Sequence, residues 1–389
     1  MRDFAAELEQ RRDQGLYRQR REVDSPQQPE LVVDGRPMLA FCSNDYLGFA
    51  NDPAIIEAAR ATLSSAGLGG GASHLICGHH RAHHELEQTV ASFTGREDAL
   101  FFSTGYMANM GVISALAGRG DTIFSDRLNH ASIIDGCLLS RARIRRYPHG
   151  DTEALAEQLA GTEGHKVVVT DGVFSMDGDL APLAELARLC RTHDALLVVD
   201  DAHGFGVLGE GGRGSLSACG LGQDDVPVVI GTLGKAFGTS GAFVAGSSLM
   251  MDYLVQKART YIYTTSMPPA IAAASTASIR MAMAADDRRA HLRNLIDRFR
   301  RETQAMGYAL MPSDTPIQPI LIGGAAEAMA LSRALEGHGI WVTAIRPPTV
   351  PQGESRLRVT LSAAHTEAHL DRLLQALAVC RQEIGLTAA

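Results

Sequence analysis

Four short segments of the chain place polar side chains directly after an apolar, β-rich run. They are Ser103 to Tyr106, Asp171 to Asp179, Asp200 to His203 and Thr232 to Lys235. The carboxyl ends of parallel strands meet at one edge of a sheet, and ligands bind in the crevice outside that edge. The spacing therefore predicts one site that draws side chains from all four segments.

Asp200 ends the apolar run ALLVVD and is followed closely by His203. A carboxylate at the rim of a buried sheet is costly unless a positive group pairs with it. A protonated pyridine nitrogen is such a group, and keeping it protonated lets the ring accept electrons from a carbanion. The alternative is an ordinary turn or helix-capping aspartate, which this position alone leaves open.

Lys235 follows the run VPVVIG and lies among Gly231, Gly234 and Gly238. Partial burial there would lower the pKa of the amine, so the residue is suited to form an imine with an aldehyde. The alternative is a surface loop lysine, since most lysines lie at the surface. A P-loop is excluded, because the gap between the glycines is too short and Ala236 follows the lysine.

The segment Gly204 to Gly209 is a literal GxGxxG, the pattern of dinucleotide-binding sites. That pattern requires the glycines to close a strand and open a helix. Here Asp200 to His203 intervenes, and Glu210 to Gly214 is too rich in glycine for a helix. We predict no dinucleotide site, and a nicotinamide-dependent dehydrogenase is the disfavoured alternative from a different enzyme class.

A histidine cluster, His79, His80, His83 and His84, offers pairs with the four-residue spacing of metal ligands on one helix face. The sequence shows no carboxylate or cysteine that completes an obvious set. We therefore predict no metal site and place these side chains at the start of a helix.

The elements that position the candidate site follow from the hydrophobic pattern. From about Asp52 to Leu233, β-rich runs alternate with helical segments, which predicts an α/β domain with a mostly parallel sheet flanked by helices. The first twenty residues predict an amphipathic helix, and Asp34-Gly35 between two apolar runs predicts a hairpin. Long helices and the runs IQPILI, WVTAI and RLRVTL predict a smaller α+β unit at the end. We divide the chain into an N-terminal segment (1–47), a large domain (48–275) and a small C-terminal domain (276–389).

The composition limits the functions open to the chain. It has 389 residues, of which 45% are hydrophobic and 21% charged, as in ordinary globular proteins. The net charge of -8 argues against a general affinity for nucleic acid. No apolar run approaches the ~20 residues that cross a bilayer, and the charged N-terminus cannot form a signal peptide. Six cysteines without CxxC spacing favour reduced thiols, so we expect a cytoplasmic protein.

Eight motifs, in order along nearly the whole chain, resemble the α-oxoamine synthases, a family of fold type I pyridoxal-phosphate (PLP) enzymes. They are SNDYLG (43–48), STGYMAN (103–109), NHAS (129–132), GVFSMDGD (172–179), VDDAHGFGVLG (199–209), GTLGKAFG (231–238), YTTSMPP (263–269) and TAIRPPTVP (343–351). One departure is His74, which stands where the family commonly has an arginine that bears on recognition of the acyl chain.

The resemblance implies that the site holds PLP. Lys235 would carry the cofactor as an imine and act as the base at the substrate's α-carbon, and Asp200 would pair with the pyridine nitrogen. His203 and Ser175 would contact the phenolic oxygen of the ring, and His130 would stack on its face.

The cofactor's phosphate would be bound by two subunits of a homodimer. Gly105 and Tyr106 would present backbone N–H groups at a helix N-terminus, where free donors and the helix dipole favour an anion. Thr232 would bind the phosphate from the same subunit. Thr265 and Ser266 would reach the phosphate of the neighbouring subunit.

Substrate contacts are also implied by the resemblance. Arg346 would grip the carboxylate of the amino acid, a task suited to the paired donors of guanidinium. Arg18, Asn44 and Thr349 would line the acyl-donor site. The alternative for Arg18 is a solvated helix face, because four other arginines lie nearby.

Within the family, the short N-terminus and IRPPTVP are most similar to the enzymes of biotin biosynthesis that join L-alanine to a pimeloyl thioester. The expected reaction condenses L-alanine with pimeloyl-CoA or pimeloyl-acyl-carrier protein and releases carbon dioxide and the thiol. The nearest alternatives are sister enzymes that join glycine to acetyl- or succinyl-CoA, or serine to a long acyl-CoA. A non-catalytic regulator on the same fold would need a DNA-binding segment, for which we see no room before the large domain.

Overall fold

The N-terminal segment contains one helix and one hairpin. In the computed structural model, which describes residues 2–14 and 16–385, α1 runs over Phe4–Asp13 and none of its side chains is buried. The predicted helix is therefore present, but it is shorter than the first twenty residues, and the prediction that it is amphipathic is wrong. The predicted hairpin is present as β1 (Glu30–Val33) and β2 (Arg36–Ala40). Its turn residues Asp34 and Gly35 have positive φ angles of 49° and 73°, as a tight primed turn requires.

A seven-stranded sheet forms the centre of the large domain. Its strands are β3 (Asp98–Phe102), β4 (Thr122–Asp126), β5 (Arg143–Tyr147), β6 (Lys166–Asp171), β7 (Ala195–Asp200), β8 (Val228–Thr232) and β9 (Ala242–Gly246). They lie in the order β3-β9-β8-β7-β6-β4-β5, and all neighbouring pairs from β8 to β5 are parallel. Strand β9, which is antiparallel to both β8 and β3, was not predicted from the sequence. The predicted mostly parallel sheet is confirmed.

Helices cover both faces of this sheet. They are α2 (Pro53–Ala66), α3 (Arg81–Thr94), α4 (Gly105–Leu116), α5 (Ala131–Ser140), α6 (Thr152–Ala160), α7 (Leu183–Thr192), α8 (Gly214–Ala218), α9 (Ser248–Lys257), α10 (Arg259–Ile262) and α11 (Pro269–Met283). Successive side chains of a strand point to opposite faces. Phe101 and Val168 accordingly join one buried apolar cluster, whereas Phe102 and Val169 join another. The near-continuous apolar strands are therefore buried on both sides.

The GxGxxG segment does not connect a strand to a helix. Gly204 to Gly209 forms turns after Asp200 to His203, and a single 3-10 turn over Glu210–Gly212 follows. Gly211 within that turn has a φ of 60°, outside the helical region. The structure therefore agrees with the prediction that this match is not a dinucleotide fingerprint.

The C-terminal part contains helices and two further sheet regions. Its elements are α12 (Asp286–Ala305), β10 (Ala309–Leu310), β11 (Ile317–Gly323), α13 (Ala325–Gly337), β12 (Ile340–Trp341), β13 (Thr343–Ile345), β14 (Ser355–Thr360) and α14 (Glu367–Glu383). Strands β10-β11-β14-β13 form an antiparallel sheet, whereas β12 pairs in parallel with β2 of the hairpin. The run WVTAI is thus two strands in different sheets. None of the described helices is both long and apolar enough to span a membrane.

Two observations bear on the predicted division of the chain. The pairing of β12 with β2 joins the N-terminal hairpin to the C-terminal part. Helix α11 runs unbroken through the predicted boundary at 275/276 and packs on α2 and α3. We propose that three segments remain a useful division, with the second boundary after α11 at Ala285.

Candidate active site

The sheet brings the four polar segments to one edge. Asp171, at the end of β6, pairs in register with Asp200, at the end of β7. Asp200 in turn pairs with Ile230 of β8, so Thr232 leaves the sheet at the same edge. Strand β3 is parallel to these strands, because β9 is antiparallel to both β3 and β8, and it ends there at Phe102.

The Lys235 amine lies in a chain of hydrogen bonds. Its Nζ is 2.7 Å from Nε2 of His203, and Nδ1 of His203 is 2.7 Å from the hydroxyl of Tyr46. Tyr46 is fully buried (0% exposed) and donates to Oδ1 of Asn44 at 3.2 Å. The phenol of Tyr46 has one proton, which it donates to Asn44, so it must accept a hydrogen bond from Nδ1 of His203. Nε2 of His203 is then unprotonated and accepts from Lys235. Tyr46 therefore selects the tautomer of His203 that accepts the lysine's hydrogen bond.

Burial controls the protonation of this pair. It lowers the pKa of Lys235 to about 8, although Asp200 and Asp171 act in the opposite direction. It also holds the pKa of His203 well below its ordinary range, and the charge of Lys235 lowers that pKa further. Roughly a tenth of the lysine is then unprotonated at pH 7. The free amine is the form that attacks an aldehyde.

Helix α4 fixes Asp200. Oδ2 of Asp200 accepts from Nδ2 of Asn109 at 2.6 Å, and Oδ1 accepts from the Ala202 N–H at 3.0 Å. The Asn109 amide also donates to Ser132 Oγ at 2.9 Å, and that oxygen is 2.7 Å from Nδ1 of His130. One network thus orients both the carboxylate and the imidazole. No role was predicted for Asn109, although it ends the motif STGYMAN and stands one turn into a mostly apolar helix.

His130 caps the N-terminus of α5 at this edge. Its backbone N–H donates to Oδ2 of Asp171 at 2.7 Å, and its side chain is exposed. The Tyr106 ring meets the His130 ring edge-on, with 6.4 Å between the ring centroids. Burial, and secondarily the charge of Asp200, raises the pKa of Asp171 well above its ordinary value. The exposed imidazole remains open to a planar ligand.

The first turn of α4 has the features of an anion-binding site. Thr104 uses its Oγ1 to accept the Met107 N–H at 3.1 Å and its carbonyl to accept the Ala108 N–H at 3.0 Å. The N–H groups of Gly105 and Tyr106 have no acceptor among the described residues. A Cβ added at Gly105 would meet nothing within 4 Å. Open space above free N–H groups at a helix N-terminus suits a phosphate.

The other predicted cofactor contacts lie on surrounding loops. Thr232 Oγ1 donates to a loop carbonyl at 3.1 Å. Ser266 is buried and donates to a carbonyl before α3 at 2.7 Å, whereas Thr265 is exposed. The Ser175 side chain is half-buried on the loop that follows β6. The cofactor roles of these residues stay predictions.

Arg358, on β14, reaches the same edge and was not predicted. It is 8% exposed, its Nε donates to the Ser175 carbonyl at 2.6 Å, and Nη1 and Nη2 each donate to Asn44 Oδ1 at 3.2 Å. Its charge contributes to the lowered pKa values of Lys235 and His203. Its only signal in the sequence is a basic residue within the predicted strand RLRVTL.

A cavity of about 440 Å³ lies beside β13, away from the hydrogen bonds of Lys235. Arg18, Arg346 and Thr349 all line it. The structure therefore brings Arg18 and Thr349 together, as an acyl-donor site requires, but it places Asn44 instead with Tyr46 and Arg358. Arg346 lines the outer cavity, so the geometry favours Arg358 for the carboxylate of the amino acid.

His149 holds the loop that carries Ser175. Its Nδ1 is 3.0 Å from Oδ1 of Asp126, and its Nε2 is 2.7 Å from Oδ2 of Asp179. Its ring packs edge-on against Phe174, with 4.3 Å between centroids. The hydrogen bonds to the two carboxylates raise the pKa of His149 to about 10. The imidazolium therefore links β4 to the loop at neutral pH.

We expect His149→Gln to lower the free energy of unfolding by about 2 kcal/mol at pH 6, the scale of a hydrogen bond to a charged group. The folded pKa of about 10 exceeds the unfolded value of about 6.5. The stabilisation is thus complete below about pH 6.5 and is lost as the pH rises through about 10. Urea unfolding at pH 6, 8 and 10 measures it, with His193→Gln as the control. An equal deficit at all three pH values would contradict the charge-based explanation.

Comparison with known proteins identifies the family. A family model for class I and II aminotransferases matches residues 36–377. The chain belongs to this family. An 8-amino-7-oxononanoate synthase of Marinobacter nauticus is 69% identical to this aminotransferase-family chain over 385 residues, which are 99% of the chain and 98% of that protein. Another, from Pseudomonas aeruginosa, is 58% identical and covers 96% of this chain and 94% of its own. The resemblance predicted from the eight motifs is confirmed.

Solved structures agree on the fold of this aminotransferase-family chain. Serine palmitoyltransferase of Sphingomonas wittichii has a TM-score of 0.94 and 36% identity, and the match covers 98% of this chain and 97% of that one. A high-resolution serine palmitoyltransferase structure with PLP has a TM-score of 0.94 and 34% identity, and the match covers 99% of this chain and 100% of that one. An 8-amino-7-oxononanoate synthase from Francisella tularensis has a TM-score of 0.78 and 32% identity, and the match covers 90% of this chain and 98% of that one. The predicted fold class is confirmed.

Proposed function

We propose that this protein catalyses the 8-amino-7-oxononanoate synthase reaction in biotin biosynthesis, the decarboxylative condensation of L-alanine with a pimeloyl thioester. The observation that carries the proposal is the Lys235 amine, 2.7 Å from His203 at a sheet edge that also presents Asp200. The 69% identity to a synthase of that name supports the same reaction.

The sheet edge fits PLP group by group. The Lys235 amine suits the aldehyde, the Asp200 carboxylate suits the pyridine nitrogen, and the N–H groups of Gly105 and Tyr106 suit the phosphate. His130 offers an exposed ring beside them. When bound, PLP withdraws electrons from the α-carbon of an attached amino acid. The side chains of the protein perform the remaining tasks.

Lys235 moves the proton. With PLP bound and its own amine free, Lys235 would act as the base at Nζ, because burial lowers the pKa of this amine to about 8, close to the working pH that general-base catalysis favours. It takes the α-proton of L-alanine. Neutral His203 holds Nζ by a 2.7 Å hydrogen bond, and buried Tyr46 keeps His203 in the accepting tautomer.

Arg358 orients the substrate. Its guanidinium lies between the Ser175 carbonyl and Asn44, and its charge acts on Lys235. A carboxylate of L-alanine that replaces Asn44 as the acceptor would receive paired N–H donors. When the α-carbon bonds to the acyl carbon, the C–S bond of the thioester breaks and the thiol leaves. The carboxylate would then leave as carbon dioxide, and a proton would take its place on the α-carbon.

We expect Arg358→Gln to raise the KM for L-alanine about 10- to 100-fold, since a hydrogen bond to a charged group contributes roughly 1.5 to 3 kcal/mol. The KM for the thioester should change little. Arg346→Gln is the matched variant and should show the reverse pattern, because Arg346 lines the outer cavity. Steady-state kinetics with each substrate varied in turn distinguish them. A raised alanine KM in Arg346→Gln alone would restore the assignment made from sequence.

The outer cavity suits the acyl donor. Arg11, Arg18 and Arg346 line it beside Trp341 and Thr349. Arginines bind the phosphates of CoA or of a carrier protein's pantetheine arm, whereas the aromatic and aliphatic wall accommodates an acyl chain. Both pimeloyl-CoA and pimeloyl-acyl-carrier protein fit this description.

The proposed assembly is a cytoplasmic homodimer. Thr265 is exposed and pairs through its backbone with Ser73 near the start of α3. If Thr265 and Ser266 contact the phosphate of the neighbouring subunit, each cofactor site is completed only in the dimer. The net charge of -8 disfavours nucleic acid as a partner.

The deciding assay incubates the purified protein with L-alanine and either pimeloyl-CoA or pimeloyl-acyl-carrier protein, and identifies the product by mass. We expect 8-amino-7-oxononanoate. Parallel reactions of L-serine with palmitoyl-CoA and of glycine with acetyl-CoA test the sister activities. The reaction of serine is the second candidate, because the chain is structurally similar to serine palmitoyltransferase. Product only from serine and palmitoyl-CoA would overturn the proposal.

A further inference from the structure

A second cluster of chemically active side chains lies at the entrance to α3. A π-helical turn over His74–Gly78 precedes the helix, and His79 directly follows this turn. Among the histidines here, His83 is already satisfied, because its Nε2 contacts the Met267 carbonyl at 2.7 Å and its Nδ1 accepts the His80 N–H at 2.9 Å. The other side chains that offer a ligand atom here are those of His79, His84 and Glu87. Nε2 of His84 lies 3.0 Å from Nε2 of Gln88, a contact that a metal ion at this nitrogen would replace.

These three side chains converge. One ligand atom from each of His79, His84 and Glu87 lies within 4.8 Å of the other two. His79 Nε2 is 3.7 Å from Glu87 Oε2, close to the ~3.4 Å between neighbouring ligand atoms of a tetrahedral zinc ion with bonds of about 2.1 Å. His84 and Glu87 are three residues apart on α3 and therefore share a helix face.

Glu87 lacks a permanent positive partner. The residue is 7% exposed, and one carboxylate oxygen accepts the Phe101 N–H at 2.9 Å. No lysine or arginine within residues 2–14 and 16–385 forms an ion pair with it, and burial raises its pKa to about 8. Burial also lowers the pKa of neighbouring His79. A divalent cation would offset the cost of this buried carboxylate without protonating it.

His79 is oriented as a metal ligand would be. Its Nδ1 is 2.9 Å from Nδ1 of His74, whose ring stacks on Tyr261 at 4.9 Å between centroids. If His79 donates from Nδ1 to His74, its Nε2 faces Glu87 with a free lone pair. Metal-binding histidines commonly donate their other N–H to a fixed acceptor in this way.

We propose that His79, His84 and Glu87 bind one divalent transition-metal ion, with Zn²⁺ the ion that this ligand set suits best and water at the fourth position. No metal site was predicted from the sequence because no carboxylate obviously completed the histidine set, and Glu87 would be that carboxylate. The ion would tie the turn before α3 to the helix. Because Ser266 donates to the Gly78 carbonyl at the end of this turn, the ion would also hold the Thr265 and Ser266 segment. Metal binding itself does not depend on the proposed reaction.

The test uses the holoenzyme after EDTA treatment and desalting. Calorimetric titration with Zn²⁺, together with elemental analysis, should find one ion per chain. His84→Ala, an exposed position that folding does not require, should weaken binding at least tenfold, and Glu87→Gln should do the same. His74→Phe, which keeps a ring against Tyr261, should weaken it about 10- to 100-fold.

His338→Ala is the matched control. His338, Cys380 and Glu383 form another group of possible metal ligands, so this variant shows whether that group accounts for the binding. Zn²⁺ should raise the melting temperature of the wild type and of His338→Ala but not that of His84→Ala. Absence of stoichiometric binding, or equal binding in His84→Ala, would overturn the proposal, whatever the condensation assay shows.

Discussion

Lys235→Ala is expected to abolish product formation and the covalent attachment of the cofactor. Proton transfer by a positioned base contributes about 10² to 10⁴-fold to a rate, and this lysine is the amine that the sheet edge places beside His203. Turnover should therefore fall by at least that factor. Borohydride reduction followed by peptide mass spectrometry should label Lys235 in the wild type and no residue in the variant.

The control for this substitution is Lys257→Ala. Lys257 is an exposed lysine near the end of α9, so its removal changes the lysine content without touching the sheet edge. The Lys257→Ala variant should keep the borohydride label on Lys235 and the wild-type turnover. If borohydride reduction still labels the Lys235→Ala variant, the cofactor is attached to another residue and the assignment of Lys235 is wrong.

The part of the site that could be predicted from sequence is the part encoded locally. ALLVVD is an apolar run that ends in Asp200, and VPVVIG is one that leads to Lys235. A few neighbouring residues therefore predict both the strand and the polar side chain at the edge of the sheet. The same holds for the Asp34-Gly35 turn. In each case a short pattern fixes a backbone conformation, and the parallel sheet then aligns the ends of the strands.

What could not be predicted depends on contacts between distant parts of the chain. Tyr46 meets His203 across 157 residues, and Arg358 meets Asn44 across 314. No local spacing encodes such pairs. Arg346 was chosen for the carboxylate by family resemblance alone. Arg358 lies on the face of β14 opposite to the core residues Leu357 and Val359, where alternation predicts an exposed arginine, so only the tertiary structure shows that it is buried.

The errors in secondary structure have similar causes. The five residues of β9, four of them apolar, follow a glycine-rich loop, and their pairing with β8 and β3 makes them a strand. WVTAI is divided because β12 finds a partner in the N-terminal hairpin. In both cases the pairing between distant strands, and not the local sequence alone, decides where a strand forms.

Asp200→Ala is expected to retain the Lys235 attachment but to slow α-proton exchange of L-alanine. Loss of one preorganised electrostatic contact at a reacting centre costs about 10² to 10³-fold, and Asp200 is the carboxylate that Asn109 holds at 2.6 Å. Exchange in D₂O, followed by NMR without any thioester, isolates the proton step from acyl transfer. Asp252→Asn, at an exposed carboxylate of α9, is the control.

Asp200→Asn separates charge from shape. The amide occupies the same volume and can accept from Asn109 through its oxygen, so the network to Ser132 and His130 stays in place. If the negative charge opposite the ring nitrogen matters, this variant should lose exchange almost as completely as Asp200→Ala while it keeps the borohydride label on Lys235. Exchange at the wild-type rate in Asp200→Asn would reject the electron-withdrawing role. Loss of both exchange and label would mean that Asp200 serves to bind the cofactor.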